Sequence, residues 1–109
     1  MKTEIQFIHI QADKKLQEYI EGKVDKLYKI YNRIESCNVA LRETKNDLKK
    51  NKVVEINLEV PGNRLFATDE AETFYIAFDL AIDEIKKQLI KSKERISEID
   101  KQAIQNALQ

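Results

Sequence analysis

Val54, Ile56, Leu58 and Val60 alternate with Glu55, Asn57 and Glu59. Successive side chains of a strand point to opposite faces, so this stretch specifies a strand with one apolar and one wet side. A sheet built on it can be covered on one side only. Any helix in the chain must then lie on that side, which points to an α+β two-layer sandwich.

The flanking residues supply the other elements. In "VPGN" (60–63) Pro and Gly stand where a type II-like turn needs them, and the turn reverses the chain into "RLFAT". Upstream, Cys37, Val39 and Leu41 alternate in "CNVALRE", a second strand, and "TKNDLKKNK" follows as a polar loop expected to be mobile. Residues 3–10, "TEIQFIHI", put Ile5 and Phe7 on one face and Ile8 and Ile10 on the other, and read as the first strand. Asp13 is placed to N-cap a helix through "KKLQEYIEGKVDKLYKIYNRI". In it Leu16, Ile20, Val24, Leu27, Tyr31 and Ile34 form an apolar stripe, and the weak helix former Gly22 within the segment slightly weakens the pattern. A last helix is expected from about Asp69 to Glu72 onward, with Phe74, Ala77, Phe78, Ala81, Ile85, Gln88, Leu89, Ser92 and Ile96 facing inward.

The resulting order is β-α-β-β-β-α, a four-stranded sheet with two helices packed on one face. Strands two to four form an antiparallel meander, and the helical first crossover suits a parallel first pair. Residues 1–97 read as one domain and residues 98–109 as a tail dispensable to its core.

Composition narrows the function. Apolar residues make up 42% and charged residues 35%, a soluble globular profile with a heavily charged surface. Lys plus Arg (19) equals Asp plus Glu (19), so a case for a polyanionic partner must rest on where the charges sit. The single Cys37 excludes an internal disulfide and a Cys-rich zinc site; its alternation with Val39 and Leu41 favours burial over reactivity. It also suits a reducing cytosol. The N-terminal apolar run is too short and interrupted for a signal peptide, and no segment approaches the roughly 20 apolar residues of a membrane span. The expected location is the cytoplasm, with no membrane partner.

Enzymatic signals are scarce. His9, the one histidine, falls in the first strand without a Ser or Cys partner, and reads as an ordinary strand residue. There is no phosphate loop, glycine-rich fingerprint or clustered metal-ligand pattern. Asp79 and Asp83 stand four apart on a helix and could hold a cation, but the helix dipole alone favours carboxylates in its first half. Neither an enzyme nor a cofactor is expected.

The basic residues are more informative. Lys15, Lys26, Lys29 and Arg33 share a sector of the first helix opposite its apolar stripe, with Glu18, Glu21 and Asp25 on the adjoining sector. On the last helix Lys86 and Lys93 flank the apolar face on one side, Lys87 and Lys91 on the other. Bases are favoured at a helix C-terminus in any case, and charge runs are commonly solvated faces. Two such helices side by side would instead form a groove spaced for nucleic-acid phosphates. The helical wheel does not choose between these readings.

One further pattern does. "ADKKLQEYIEGKVDKLYKIYNRI" and "VVEINLEVPGNRLFATDEAETFYIAFDLAIDEIKKQLIKSKER", in this element order, resemble the ribosome hibernation-promoting factor family. That family includes ribosome-associated inhibitor A and has also been called sigma-54 modulation protein. The resemblance spans residues 1 to about 96. Its most specific part runs from Phe66 and Ala67 through Phe74, Tyr75, Ile76, Ala77, Phe78 and Asp79 to Gln88, Leu89, Lys91, Ser92 and Lys93. Tyr19, Lys23, Lys26 and Leu27, followed by Tyr31, Asn32, Arg33 and Ile34, match the family's first helix. Phe78 and Ser92 depart from the commoner family residues; neither is basic.

The resemblance implies binding to the small ribosomal subunit and its 16S rRNA, where messenger and transfer RNA would otherwise sit, with translation held off in starvation or stationary phase. DNA is not an expected partner. By position it implicates Lys23, Lys26, Lys86, Lys87, Lys91 and Lys93 in RNA contact, with Lys29, Arg33 and Arg95 behind them. Long members carry a linker and a second, dimer-forming domain; this chain stops at Gln109, resembles the short form and is expected to be monomeric when free. Two rival readings are an interaction module using the sheet's open face, suggested by Ile8 and Ile10, and a small α+β hydrolase, disfavoured by the missing nucleophile.

Overall fold

A computed structural model describes the backbone of residues 2–45 and 49–107 and the side chains of residues 3–45 and 49–92. The elements are β1 (Lys2–Phe7), α1 (Lys14–Ile30), β2 (Ser36–Glu43), β3 (Lys52–Val60), β4 (Asn63–Ala71) and α2 (Phe74–Ala107). The four strands lie in the order β1-β2-β3-β4. β1 runs parallel to β2, with Ile5 opposite Val39. The remaining pairs are antiparallel, with Val39 opposite Ile56 and Leu58 opposite Leu65.

Alternation decides which face is dry. Cys37, Val39 and Leu41 of β2, Val54, Ile56, Leu58 and Val60 of β3, and Leu65, Ala67 and Ala71 of β4 are all buried. They meet Leu16, Ile20, Val24, Leu27 and Tyr28 of α1 and Ala77, Phe78, Ala81, Ile82, Ile85 and Leu89 of α2 in one cluster. Both helices therefore cover the same side of the sheet. Phe78 is fully buried; truncating a core aromatic of this kind costs about 3–5 kcal/mol.

The ends of the elements follow local chemistry. Asp13 caps α1, its Oδ1 accepting from the Leu16 N–H at 3.2 Å. Thr73 does the same for α2, its Oγ1 accepting from the Ile76 N–H at 3.2 Å. In the β3–β4 turn Gly62 has φ 75°, the left-handed value a type II turn requires at its third position. On the exposed edge, the Gln88 amide donates to the Phe66 carbonyl at 2.9 Å, so α2 satisfies part of the open side of β4.

Five boundaries differ from the sequence expectation. β1 ends at Phe7 rather than at residue 10, because His9 adopts φ 55° and turns the chain out of the sheet. His9 is thus not a strand residue, and Ile10 packs partly against the core instead of pointing to the sheet's outer face. The interaction-module reading loses half of its motivating pair. α1 stops at Ile30, with Tyr31 as its C-cap; Tyr31 and Ile34 stay buried but reach the core from the connection to β2.

β4 extends to Ala71, so Asp69 and Glu70 belong to a strand and α2 starts only at Phe74. Its first turn holds no acidic residue. Ile82, absent from the expected inner face, is fully buried, while Gln88 is half-buried. Lys52 belongs to β3 and not to the preceding loop, of which residues 46–48 lie outside the described residues, as do the side chains of Lys93, Arg95, Ile96 and the tail.

Candidate nucleic-acid interface

Topology brings the two basic segments together. β1 and β2 are parallel, so α1 must run back along the sheet between them; β4 is parallel to β2, so α2 runs back in the same sense. The helices lie side by side and parallel, with Tyr19 against Tyr75 and Lys23 against Asp79. The C-terminal half of α1 consequently lies beside the middle of α2, at the end of the sheet that carries the β3–β4 turn. Lys29 stands in the last turn of α1, where the helix dipole favours a cation.

The contact between the helices is a compact polar and aromatic clasp. Tyr19 Oη donates to Asp79 Oδ1 at 2.6 Å, and Lys23 Nζ donates to the same oxygen at 2.7 Å. The Tyr19 ring meets Tyr75 edge-on with centroids 5.0 Å apart, and meets Phe78 at 6.1 Å. Lys23 Nζ also lies 5.1 Å from the centre of the Tyr19 ring. Hydrogen bonding to Asp79, then to Tyr19, holds the Lys23 ammonium above its ordinary pKa. Burial pushes the Asp79 carboxyl up, but the hydrogen bonds from Lys23 and Tyr19 outweigh it and leave Asp79 below its ordinary value. Asp79 is thereby committed to the clasp. Among the described residues no cluster of three or more His, Cys, Asp or Glu forms a metal site.

Around this clasp the implicated bases divide. On α1 the half-buried Tyr19, Lys23 and Ile30 mark the flank turned to α2, and Lys26, which is exposed, stands next to that flank. Lys29 is exposed further round, and Arg33 is exposed just past the helix. On α2 the half-buried Lys86 lies two turns beyond Asp79 on the flank facing α1, close enough to lower the Asp79 pKa. Lys87 is exposed on the outer ridge, and Lys91 is exposed on the flank turned away from α1. Geometry thus gathers Lys26, Lys86 and Lys87 with Lys29 beside them, assigns Lys23 to the clasp, and separates Lys91. Lys93 and Arg95 have no described side chains.

Sequence reasoning did not find the roles of Tyr19, Tyr75 and Asp79 in this contact. A signal was present: Tyr19 and Lys23 are four apart, as are Tyr75 and Asp79, and each pair borders its helix's apolar stripe.

A family model described as sigma 54 modulation protein / S30EA ribosomal protein matches residues 3–97. The chain belongs to that family. The ribosome hibernation promoting factor of Azotobacter vinelandii is 34% identical over 95 residues, which cover 87% of this chain and 85% of that protein. The protein of the same name from Escherichia coli K12 is 26% identical over 98 residues, covering 90% and 99%. A ribosome hibernation promotion factor of Deinococcus radiodurans is 32% identical over 89 residues, 80% of this chain but 46% of that protein. Among solved structures, a ribosomal subunit interface protein from Coxiella burnetii superposes with a TM-score of 0.77 at 24% identity, covering 86% of this chain and 99% of that one. The two-layer β-α-β-β-β-α architecture is common to both.

Proposed function

We propose that this chain is a ribosome-binding hibernation factor that seats the cationic end of its paired helices on the 16S rRNA of the small subunit. There it fills space that messenger and transfer RNA need, and translation stops in starvation or stationary phase. The parallel arrangement of α1 and α2 carries the reading, because in a chain of zero net charge it brings Lys26 and Lys29 beside Lys86 and Lys87. Lys26, Lys86 and Lys87 supply the first phosphate contacts, with Lys29, Arg33 and Lys91 at the margins. The family membership and the names of the relatives support the same reading.

The mechanism is occupancy. Each lysine that neutralises a phosphate releases condensed counterion, so affinity comes largely from the salt-dependent term. The clasp keeps the helices at a fixed spacing, so the cations are organised before binding and less entropy is lost on contact. No bond is made or broken, and the block is reversed by mass action. Work on the ribosome puts the protein in the cytoplasm, and among the described residues no helix is long and apolar enough to cross a membrane. With the inner helix faces used by the core, the free protein is a monomer.

Sedimentation of purified ribosomal subunits with the protein tests this reading. It should travel with small subunits and not with large ones, and it should be released by raised salt. Equal association with both subunits would contradict it.

A further inference from the structure

At the opposite end of the sheet, away from the cationic helix ends, the segment that leaves β1 and the residues around the end of β2 and the start of β3 line an open cavity of about 580 Å³. It is lined by Ile8, His9 and Ile10 on one side and by Arg42, Glu43, Thr44, Lys45 and Asn51 on the other. Volumes of roughly 300–1,000 Å³ with apolar walls and a few convergent polar groups are typical of small-molecule sites.

The wall at Ile8 to Ile10 is built at a cost. The Ile8 N–H still bonds the Leu41 carbonyl at 2.9 Å, but His9 then takes φ 55°. A non-glycine residue in that region is sparsely populated and is found preferentially at ligand sites and switches. The turn leaves Ile8 37% exposed at the cavity while Ile10 packs partly on the core.

The charges of the facing wall select the ligand. Glu43 accepts from Lys52 at 2.6 Å, so its carboxylate is already neutralised. Arg42 pairs with Glu55 through one terminal nitrogen at 3.0 Å and keeps further N–H donors. Among the described residues no carboxylate pairs with Lys45, which is exposed. Among the described residues that line it, no carboxylate is left free for a metal ion, and a purely apolar ligand would strand Lys45 and the Asn51 amide. An anion joined to a planar, partly apolar body satisfies both walls.

We propose that this cavity binds a nucleotide unit, with the base against Ile8, Ile10 and the His9 ring and the phosphate on Lys45 and Arg42. The Asn51 amide offers both donor and acceptor to a base edge. The site is separate from the helix groove and does not depend on the ribosomal reading. The same chemistry is presented by a free nucleotide and by an unpaired nucleotide of an RNA.

The test is an amide chemical-shift titration of the whole chain with adenosine 5′-monophosphate, guanosine 5′-monophosphate, inorganic phosphate and a short single-stranded RNA. A saturable shift of the Ile8, His9, Ile10, Thr44, Lys45 and Asn51 amides with a nucleotide supports the proposal. His9→Gly relieves the backbone strain and removes the ring, so the fold is kept while affinity should fall about tenfold; Lys45→Ala should do the same. Tighter binding of the RNA at these amides identifies an RNA nucleotide as the ligand, and tighter binding of a mononucleotide identifies a free one. Equal shifts with phosphate alone, shifts confined to the Lys26 and Lys86 groove, or undiminished affinity in both variants would overturn it.

Discussion

Lys23 and Asp79 meet at 2.7 Å across the two helices, and Tyr19 donates to the same carboxylate oxygen at 2.6 Å. One oxygen thus fixes α1 against α2 at the level from which the cationic ends project. The pair is partly solvated, with side-chain exposures of 32% and 42%, so its coupling should be that of a screened pair, roughly 0.2–1 kcal/mol. A double-mutant cycle with Lys23→Ala and Asp79→Ala, read by denaturant unfolding, should return that range. The pH dependence has a defined sign. Asp79 has a lowered folded pKa, so its contribution is complete above the unfolded carboxylate value and is lost as pH falls through the lower folded one. Lys23 has a raised folded pKa, so its contribution holds below the unfolded lysine value and fades only as pH climbs through the higher folded one. Asp79→Asn should therefore lower Tm at neutral pH and leave it unchanged in strong acid.

Asp69 should behave oppositely. It is half-buried on β4, and burial first, then the nearby Glu84, raises its carboxyl above the ordinary value. A folded pKa above the unfolded one means that the charged form opposes folding, and that this penalty disappears as pH falls through the folded value. Asp69→Asn should raise Tm at pH 7 and lose that advantage below the usual aspartate range. A lower Tm at neutral pH would show that the carboxylate is held by a favourable partner.

The Tyr31 hydroxyl is buried at the C-cap of α1 with no hydrogen-bond partner among the described residues. Leaving a buried polar group unsatisfied costs about 1–3 kcal/mol. Tyr31→Phe keeps the ring and removes the hydroxyl, and should stabilise the fold by on the order of 1 kcal/mol. Thermal unfolding should then shift upward by about 4–8 °C. A downward shift would mean that the hydroxyl is satisfied in solution.

The sheet was legible because alternation in β2 and β3 and the Pro61–Gly62 turn each constrain the backbone locally. Both caps of α1 and the start of α2 depend on less. Asp13 could be read, but the end at Ile30 could not, since Tyr31 and Ile34 stay in the core without remaining helical and so continue the apolar stripe. Asp69 and Glu70 looked like a helix start because acidic residues suit one; strand pairing with Val54 and Val53 decided otherwise. His9 looked like a strand residue because it sits between Ile8 and Ile10 in an apolar run, although histidine is among the residue types enriched at positive φ. The groove was legible only as two separate basic faces. Which lysines share it depends on the clasp, a contact between residues sixty positions apart that no local pattern contains.

The composition of that groove can be checked by charge reversal. Lys26→Glu, Lys86→Glu and Lys87→Glu together should reduce small-subunit affinity at least a hundredfold, since three phosphate contacts are lost and replaced by repulsion. Lys15→Glu, at the far end of α1, should change it little. Exposed substitutions of this kind alter stability by under ~0.5 kcal/mol each, so unfolding curves should nearly coincide. Strong loss of binding with Lys15→Glu and none with the triple variant would move the interface to the other end of the helices.

Occlusion itself is tested by reciprocal competition on the small subunit. With several phosphates engaged, affinity should fall on the order of a hundredfold or more between ~50 and ~200 mM salt, but any RNA-binding protein would share that response. Mutual exclusion is specific to the mechanism, because linked binding equilibria are reciprocal. Binding of the labelled protein to ribosomes should therefore be measured with and without preloaded messenger and initiator transfer RNA, and loading of those RNAs measured with and without the protein. Each should exclude the other to the same degree. Simultaneous occupancy of one ribosome by the protein and both RNAs at saturation would contradict it.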